Sequence, residues 1–210
     1  MLSARDVVFE YLPGSRVLDG WSADFPAGAI TALTGSSGRG KSTLLYLLGL
    51  MLRPTDGEIA VCGTSTSSLR DTARARLRAS TFGFVFQDAA LDETRTVFDN
   101  VAETALYRGQ SRSSVANRVL ALLDEFGVDV PADRKPGQVS GGQAQRIALC
   151  RALLHHPRIL LADEPTGNLD PATRDLVIGA LRAHASAGSA VIVVTHAPEV
   201  AKACDREIGL

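Results

Sequence analysis

The sequence lacks paired cysteines, an apolar run long enough to cross a bilayer, and an excess of charge of either sign. Its three cysteines, Cys62, Cys150 and Cys204, are far apart and form no C-x-x-C pair. This spacing argues against both a disulfide framework and a zinc site. The longest apolar run, Leu44 to Leu52, has about half the length that a transmembrane helix needs. The sequence therefore indicates a chain without a membrane span.

Charge and composition further limit the class of protein to which the chain can belong. The 22 basic and 23 acidic residues nearly cancel, so there is no basic field to favour nucleic acid or an anionic membrane. The 210 residues are enough for one domain with a sizeable core. Arg5 and Asp6 stand where a secretory signal would need apolar residues. These features predict a globular protein that is cytosolic or peripheral to a membrane.

Strand-like and helix-like segments alternate along the chain, which is typical of an α/β fold with a mainly parallel sheet. The predicted strands are Val7–Tyr11, Ile30–Thr34, Glu58–Cys62, Phe82–Phe86, Ile159–Ala162 and Ala190–Thr195. The predicted helices are Lys41–Leu48, Asp71–Arg78, Asp99–Tyr107, Val115–Phe126, Gly142–His155 and Pro171–Ala185. Between Asp88 and Gln138 only helical patterns occur, which predicts a helical subdomain inserted between two strands.

A glycine-rich segment follows the second predicted strand and opens a helix. It matches the pattern G-x-x-x-x-G-K-[ST] with Gly35, Ser36, Ser37, Gly38, Arg39, Gly40, Lys41 and Ser42. The glycines allow backbone N–H groups to surround phosphate oxygens at a helix N-terminus. The lysine can then reach the β- and γ-phosphates, and the serine hydroxyl can bind Mg²⁺. The segment predicts an ATP phosphate site.

Two carboxylates follow the apolar strand Ile159–Ala162. In α/β folds, the carboxyl ends of parallel strands form the edge at which ligands bind. We expect Asp163 to hold Mg²⁺ there, directly or through water. We expect Glu164 to accept a proton from the attacking water.

Ser140, Gly141, Gly142 and Gln143, placed just before that acidic strand, resemble the signature sequence of ABC ATPases. The resemblance extends over nearly all of the chain. It implies a P-loop NTPase core with a mainly parallel sheet, N-terminal antiparallel β strands and an inserted helical subdomain. The implied division of this single domain is 1–87 and 141–210 for the nucleotide-binding core and about 88–140 for the helical subdomain.

The resemblance also implies roles for individual residues outside the phosphate segment. Tyr11 corresponds to the aromatic residue that stacks on adenine, and Thr43 adds to the nucleotide-binding residues. Gln87 corresponds to the glutamine between sheet and helical subdomain, which contributes to catalysis and to the Mg²⁺ site. His196 would contact the γ-phosphate and steady the attacking water. Asp170, in the loop Asn168–Asp170, would communicate between two nucleotide sites.

In this family two ATPase subunits act together, so a homodimer or a heterodimer is expected. ATP bound to Lys41 and Asp163 of one subunit would be covered by Ser140, Gly142 and Gln143 of the other. An integral membrane permease is the second expected partner, which places the subunit peripherally on the cytoplasmic side of the cell membrane. Phe98 and Val101 are expected to line a groove that receives the permease, although core packing explains them equally well.

The residues from Glu164 to Asp170 are similar to the group that serves macrolide export, lipoprotein release, cell-division complexes and antimicrobial-peptide efflux. Alternatives remain: a non-transport ABC ATPase such as one for cluster assembly, a mechanical or regulatory ATPase, and a P-loop kinase or GTPase. The last has no explanation for the residues around Gly142. After His196 only a short helix and Asp205–Leu210 remain, so the family's closing strands and a regulatory extension are expected to be missing or shortened.

Overall fold

Two β-sheets organise the chain in the computed structural model, which describes residues 1–36, 38–167 and 169–210. The antiparallel sheet runs in the order β2 (Arg16–Phe25), β1 (Leu2–Glu10), β4 (Asp56–Val61), β5 (Thr64–Ser65). The second sheet runs in the order β6 (Phe82–Val85), β7 (Ile159–Asp163), β8 (Ala190–Val194), β3 (Ala29–Thr34), β9 (Arg206–Gly209). All of its neighbouring strands are parallel.

The helices surround the parallel sheet. They are α1 (Lys41–Leu48), α2 (Asp71–Thr81), α3 (Val97–Tyr107), α4 (Arg112–Glu125), α5 (Gly141–Leu153), α6 (Pro171–Ser186) and α7 (Pro198–Lys202). Several start at side chains that accept a hydrogen bond from the first turn: Thr96 for α3, Ser111 for α4 and Asp170 for α6. Such caps satisfy N–H groups that have no partner within the helix.

The parallel sheet is covered on both faces, because alternate residues of its central strands enter different core clusters. Leu160 and Ala162 pack with α3, α4, α5 and α6, whereas Ile159 and Leu161 pack with α1 and the antiparallel sheet. Every residue of β7 and β8 is buried. Burial on both faces explains why the sequences of β7 and β8 are almost continuously apolar. It also holds the ends of these strands in fixed positions, where the candidate site lies.

The predicted α/β fold with a parallel sheet and N-terminal antiparallel strands is confirmed, but three strands, β2, β5 and β9, are not among those that the sequence pattern predicts. In β2, polar residues and a glycine interrupt the apolar alternation, and β5 has only two residues, so neither strand carries a recognisable pattern. Of the two alternatives for the closing strands, absence is wrong for β9, which pairs with β3 through Ile208 and Leu33. This strand has only four residues and only Ile208 is partly covered, so its sequence carries almost no strand signal.

Between β6 and α5 the chain forms the helices α3 and α4 and a 3₁₀ turn at Pro136–Gln138, joined by loops, but Phe98 and Val101 do not line a groove. Both are buried in the core cluster that α3 shares with α4 and α5. The prediction that they receive a permease is therefore wrong, and core packing explains them. Within the ranges that the structure describes, every helix is too short or too polar to span a bilayer.

Candidate functional site

A cavity of about 470 Å³ opens at the N-terminus of α1, beside the carboxyl ends of β7 and β8. The predicted site residues that line it are Tyr11, Gly38, Gly40, Lys41, Ser42, Thr43, Gln87, Asp163, Glu164 and His196. They come from segments as distant in sequence as β1 and the end of β8. The fold thus brings together the candidates for phosphate binding, metal binding and proton transfer in one place.

Two glycines of the phosphate segment combine a positive φ angle with a close neighbour. Gly40 is the N-cap of α1 with a φ of 84°, and a Cβ atom there would lie 2.5 Å from Cγ1 of Val17. Gly35 has a φ of 146°, and its Cβ would lie 2.8 Å from the carbonyl oxygen of Leu210. A side chain at either position would therefore be both strained and blocked.

The Lys41 ammonium group spans the loop. Its Nζ donates hydrogen bonds to the carbonyl oxygens of Gly35 at 2.8 Å and Ser36 at 2.9 Å. These bonds hold the cation over the loop that a triphosphate would enter. The loop residue Ser37, also predicted to contribute, lies outside the described residues. Arg39 belongs to the same loop and is exposed.

Asp163 and Ser42 present oxygen atoms on one side of the cavity. Burial raises the pKa of the Asp163 carboxyl, and a hydrogen bond from Ser42 and the charge of Lys41 act in the opposite direction. Gln87 lines the same cavity and adds an amide oxygen. A hydroxyl, a carboxylate and an amide are the hard oxygen donors that Mg²⁺ accepts, alongside phosphate oxygens and water. The residues present fit a magnesium ion bound together with a nucleotide.

Glu164 is held by the segment that follows β8. Its Oε1 atom accepts hydrogen bonds from the backbone N–H of His196 at 3.0 Å and from the ring Nδ1 of His196 at 2.7 Å. Its Oε2 atom accepts the Thr195 hydroxyl at 3.3 Å. A bond at Nδ1 fixes the imidazole ring and leaves Nε2 for another partner. The carboxylate is thus fixed next to the cavity together with a histidine that can contact a ligand.

The backbone at Glu164 is also unusual. Its φ of 46° lies in the left-handed region, which costs a non-glycine residue roughly 1–3 kcal/mol. The N–H of Glu164 bonds to the Val194 carbonyl at 2.9 Å, so the pairing of β7 with β8 continues to this residue and holds it in place. Strain of this kind concentrates at functional sites.

Tyr11 also lines the cavity. Its side chain is largely exposed, at 61%, and its hydroxyl lies 3.1 Å from that of Thr43. Phe9 meets the ring edge-on at a centroid distance of 4.8 Å. These two contacts orient an exposed aromatic ring above the loop, where a planar base could stack on it.

Four predicted residues lie at the N-terminal ends of helices α5 and α6, apart from the phosphate segment. Of the side chains that the structure describes around the cavity, none belongs to Ser140, Gly142, Gln143 or Asp170. Ser140 is the exposed N-cap of α5, bonded reciprocally to Gln143 in a capping box. Asp170 caps α6 through Thr173, and these hydrogen bonds lower the pKa of its carboxyl. Asn168, in the same loop, lies outside the described residues.

Several residues that line or support the cavity are not predicted from the sequence. Val17 lines the cavity and packs against Gly40, and Thr195 contacts Glu164. Position alone could have indicated Thr195, since it directly precedes His196 at the end of an apolar strand. Arg151 and Gln145, which hold the segment around Gln87, gave no signal, because a polar residue in a helix usually faces solvent.

Comparison with known proteins agrees with the geometry. A family model described as ABC transporter matches residues 18–167. The lipoprotein-releasing system ATP-binding protein LolD of Nitrobacter hamburgensis is 40% identical over 210 residues, covering 98% of this chain and 90% of that protein. The macrolide export ATP-binding/permease protein MacB of Brucella abortus is 44% identical over 193 residues, covering 92% of this chain and 30% of that protein.

A solved structure extends the comparison to the three-dimensional fold. The ATP-binding cassette MJ0796, a dimer in a post-hydrolysis state with ADP and phosphate, superposes with a TM-score of 0.93 at 32% identity. The superposition covers 100% of this chain and 94% of that one. These similarities do not favour an ATPase outside transport, nor a P-loop kinase or GTPase. The chain belongs to the ABC transporter family, as an ATP-binding and ATP-hydrolysing subunit.

Proposed function

We propose that Glu164 activates the water that attacks the γ-phosphate of ATP, and that His196 steadies this phosphate. The observation that carries the proposal is the pair of bonds from His196 to one oxygen of Glu164, which supports both groups at the cavity that Lys41 also lines. The carboxylate accepts the proton of the water, and the imidazole faces the phosphate through its other nitrogen. Lys41 exchanges its carbonyl partners for phosphate oxygens.

Tyr11 stacks on the adenine base in this proposal, and the loop from Gly35 to Thr43 surrounds the phosphates. Ser42 and Asp163 would hold Mg²⁺, with Gln87 as a further oxygen donor. The ion would neutralise charge on the β- and γ-phosphates.

The site is completed by a second ATPase subunit, identical or similar to this one. Ser140, Gly142 and Gln143 stand at the N-terminus of α5, outside the cavity and partly or fully exposed. The first N–H groups of a helix have no partner within the helix and favour an anion. A second subunit can bring this helix end to the γ-phosphate, and Asp170 then lies in the loop that communicates between the two sites.

The expected result for a Glu164→Gln variant is a change from monomer to dimer that depends on Mg·ATP. The amide should bind the nucleotide without cleaving it, so the phosphate that joins the two subunits persists. Molar mass measured by light scattering after size exclusion, with and without Mg·ATP, tests this. Mg·ADP is the matched control, because it lacks the bridging phosphate and should leave a monomer. A monomer in Mg·ATP would contradict a homodimer driven by nucleotide alone.

The proposed division of the domain assigns 1–87 and 141–210 to the nucleotide-binding core and about 88–140 to the helical subdomain.

A groove of about 600 Å³ lies where α2, β6, α3 and α5 meet. Phe84, Phe86 and Tyr107 contribute its apolar surface, and Arg76 and Arg78 stand on its α2 side. We propose that this groove, rather than Phe98 and Val101, contacts a membrane permease. The subunit would then act peripherally on the cytoplasmic side of the membrane, in export or lipoprotein release.

Replacing Tyr107 by glutamate should weaken attachment to that permease without altering basal ATP turnover. Tyr107 is 66% exposed, and a second carboxylate beside Glu103 makes the groove more acidic and less apolar. The measurement is the fraction of the chain that sediments with membranes from cells producing it. Leu120→Glu is the control, because Leu120 is also exposed, at 51%, but is not among the described lining residues. Equal loss in both variants would contradict a groove-specific contact.

A further inference from the structure

Arg151 is a buried arginine whose guanidinium group bonds to main-chain oxygens far away in sequence. One of its terminal nitrogens donates to the carbonyl of Ala90 and the other to that of Ala89, each at 2.7 Å. Its side chain has an exposed fraction of only 7%. The nearest carboxylate oxygen, on Glu103, is 3.8 Å away. The main contacts of this buried cation are therefore two carbonyls of one loop.

That loop directly follows Gln87 and is conformationally strained. Ala89 has a φ of 60° and Ala90 a φ of 46°, so two consecutive non-glycine residues occupy the left-handed region. Such a conformation persists only where surrounding contacts impose it. The fork of Arg151, with one nitrogen for each carbonyl, is such a contact, and a lysine ammonium group lacks this planar geometry.

A second side chain of α5 reaches the residue on the other side of Gln87. The Nε2 atom of Gln145, which is also buried, donates to the carbonyl of Phe86 at 3.3 Å. The same carbonyl accepts the N–H of Ala89 at 3.2 Å. Contacts from α5 thus lie immediately before and after the glutamine, while Gln87 itself is exposed and lines the nucleotide cavity.

We infer that Arg151 and Gln145 are positioning residues that set the place of Gln87 in the nucleotide site from helix α5. The inference rests on the role proposed for Gln87 in ATP hydrolysis. Helix α5 begins at Gly141, between Ser140 and Gly142, so its movement would reach Gln87 through two side chains of the same helix. Arg151 also lines the groove beside α3, which places it between the groove and the nucleotide site.

A double-mutant cycle in the full chain tests the inference. Arg151→Met should lower kcat for ATP hydrolysis by about tenfold to a hundredfold, since small misplacement of a positioned group has effects of that size. The double variant Arg151→Met/Gln87→Ala should be no slower than Gln87→Ala alone, because the same group is already lost. Arg151→Lys should restore kcat only in part, and Gln145→Met should follow the same non-multiplicative pattern. If Arg151→Met does not fold, the cycle that combines Gln145→Met with Gln87→Ala tests the inference instead.

Arg74 provides the matched control. It is buried too, and one of its terminal nitrogens donates to the carbonyls of Leu50 and Leu52, away from Gln87. Arg74→Met should lower the melting temperature while its effect on kcat multiplies with that of Gln87→Ala. Multiplicative effects of Arg151→Met and Gln87→Ala would overturn the inference, as would a Gln87→Ala variant with full turnover. Absence of hydrolysis by the wild type would instead contradict the proposed function.

Discussion

Glu164→Gln is expected to lower steady-state ATP turnover by a factor of about 10²–10⁴, the usual contribution of a general base. The substitution keeps the shape of the side chain. Its amide oxygen can still accept the two bonds from His196 that now end on Oε1. The amide cannot take a proton from water, so the chemical step is lost while the nucleotide contacts remain. The measurement is phosphate release at saturating Mg·ATP, together with ATP affinity by calorimetry.

The control for this variant is Glu199→Gln. Glu199 is an exposed carboxylate on α7 that pairs with Arg174 at 2.9 Å, and exposed pairs of this kind stabilise a protein by about 0–1 kcal/mol. It is not among the described residues of the cavity, so turnover should stay at the wild-type rate. Undiminished phosphate release by the Glu164 variant would remove this carboxylate from the mechanism. A parallel loss of ATP affinity would indicate a role in binding.

The central part of the fold could be predicted because its signals are local. Strands β7 and β8 are continuous apolar runs, and the segment before Lys41 combines a strand end, glycines and a helix start. In the segment before Lys41, one continuous sequence pattern therefore predicts both the strand–loop–helix structure and the phosphate ligand. Strand β9 shows the limit of this reasoning. Its pairing with β3 through Ile208 depends on the tertiary fold, which brings the last residues of the chain next to β3. Arg206 and Glu207 are polar and exposed, so the strand shows no hydrophobic pattern.

Arrangements between distant segments could not be predicted from the sequence. Phe98 and Val101 fit both a groove and a core, since both environments select apolar residues, and only packing against α4 and α5 decides between them. Arg151 meets Ala89 and Ala90 across roughly sixty residues of chain, a distance at which spacing says nothing about contact. The roles proposed for Ser140 and Asp170 involve a second subunit, whose contacts cannot be read from a single chain.

The second large effect is expected for Ser140→Arg, which should abolish ATP-dependent dimers while leaving ATP binding to each monomer unchanged. Ser140 is exposed at the N-terminus of α5 and makes no contact with the cavity of its own chain among the described residues. In the proposed dimer this helix end faces the γ-phosphate of the partner subunit. A long side chain there would keep the two subunits apart. The molar mass in Mg·ATP, measured in the Glu164→Gln background, should remain that of a monomer.

Loss of the helix cap is the competing explanation, and Ser111→Arg separates the two. Ser111 is also an exposed N-cap, and its hydroxyl accepts the N–H of Ser114 as that of Ser140 accepts the N–H of Gln143, each at 3.2 Å. Both substitutions should therefore lower stability by a similar amount, about 0.5–2 kcal/mol. Only the change at Ser140 should prevent dimers, because only α5 would contact the partner's nucleotide. ATP-dependent dimers of the Ser140 variant would contradict the composite site, and loss of dimers in both variants would attribute the effect to capping.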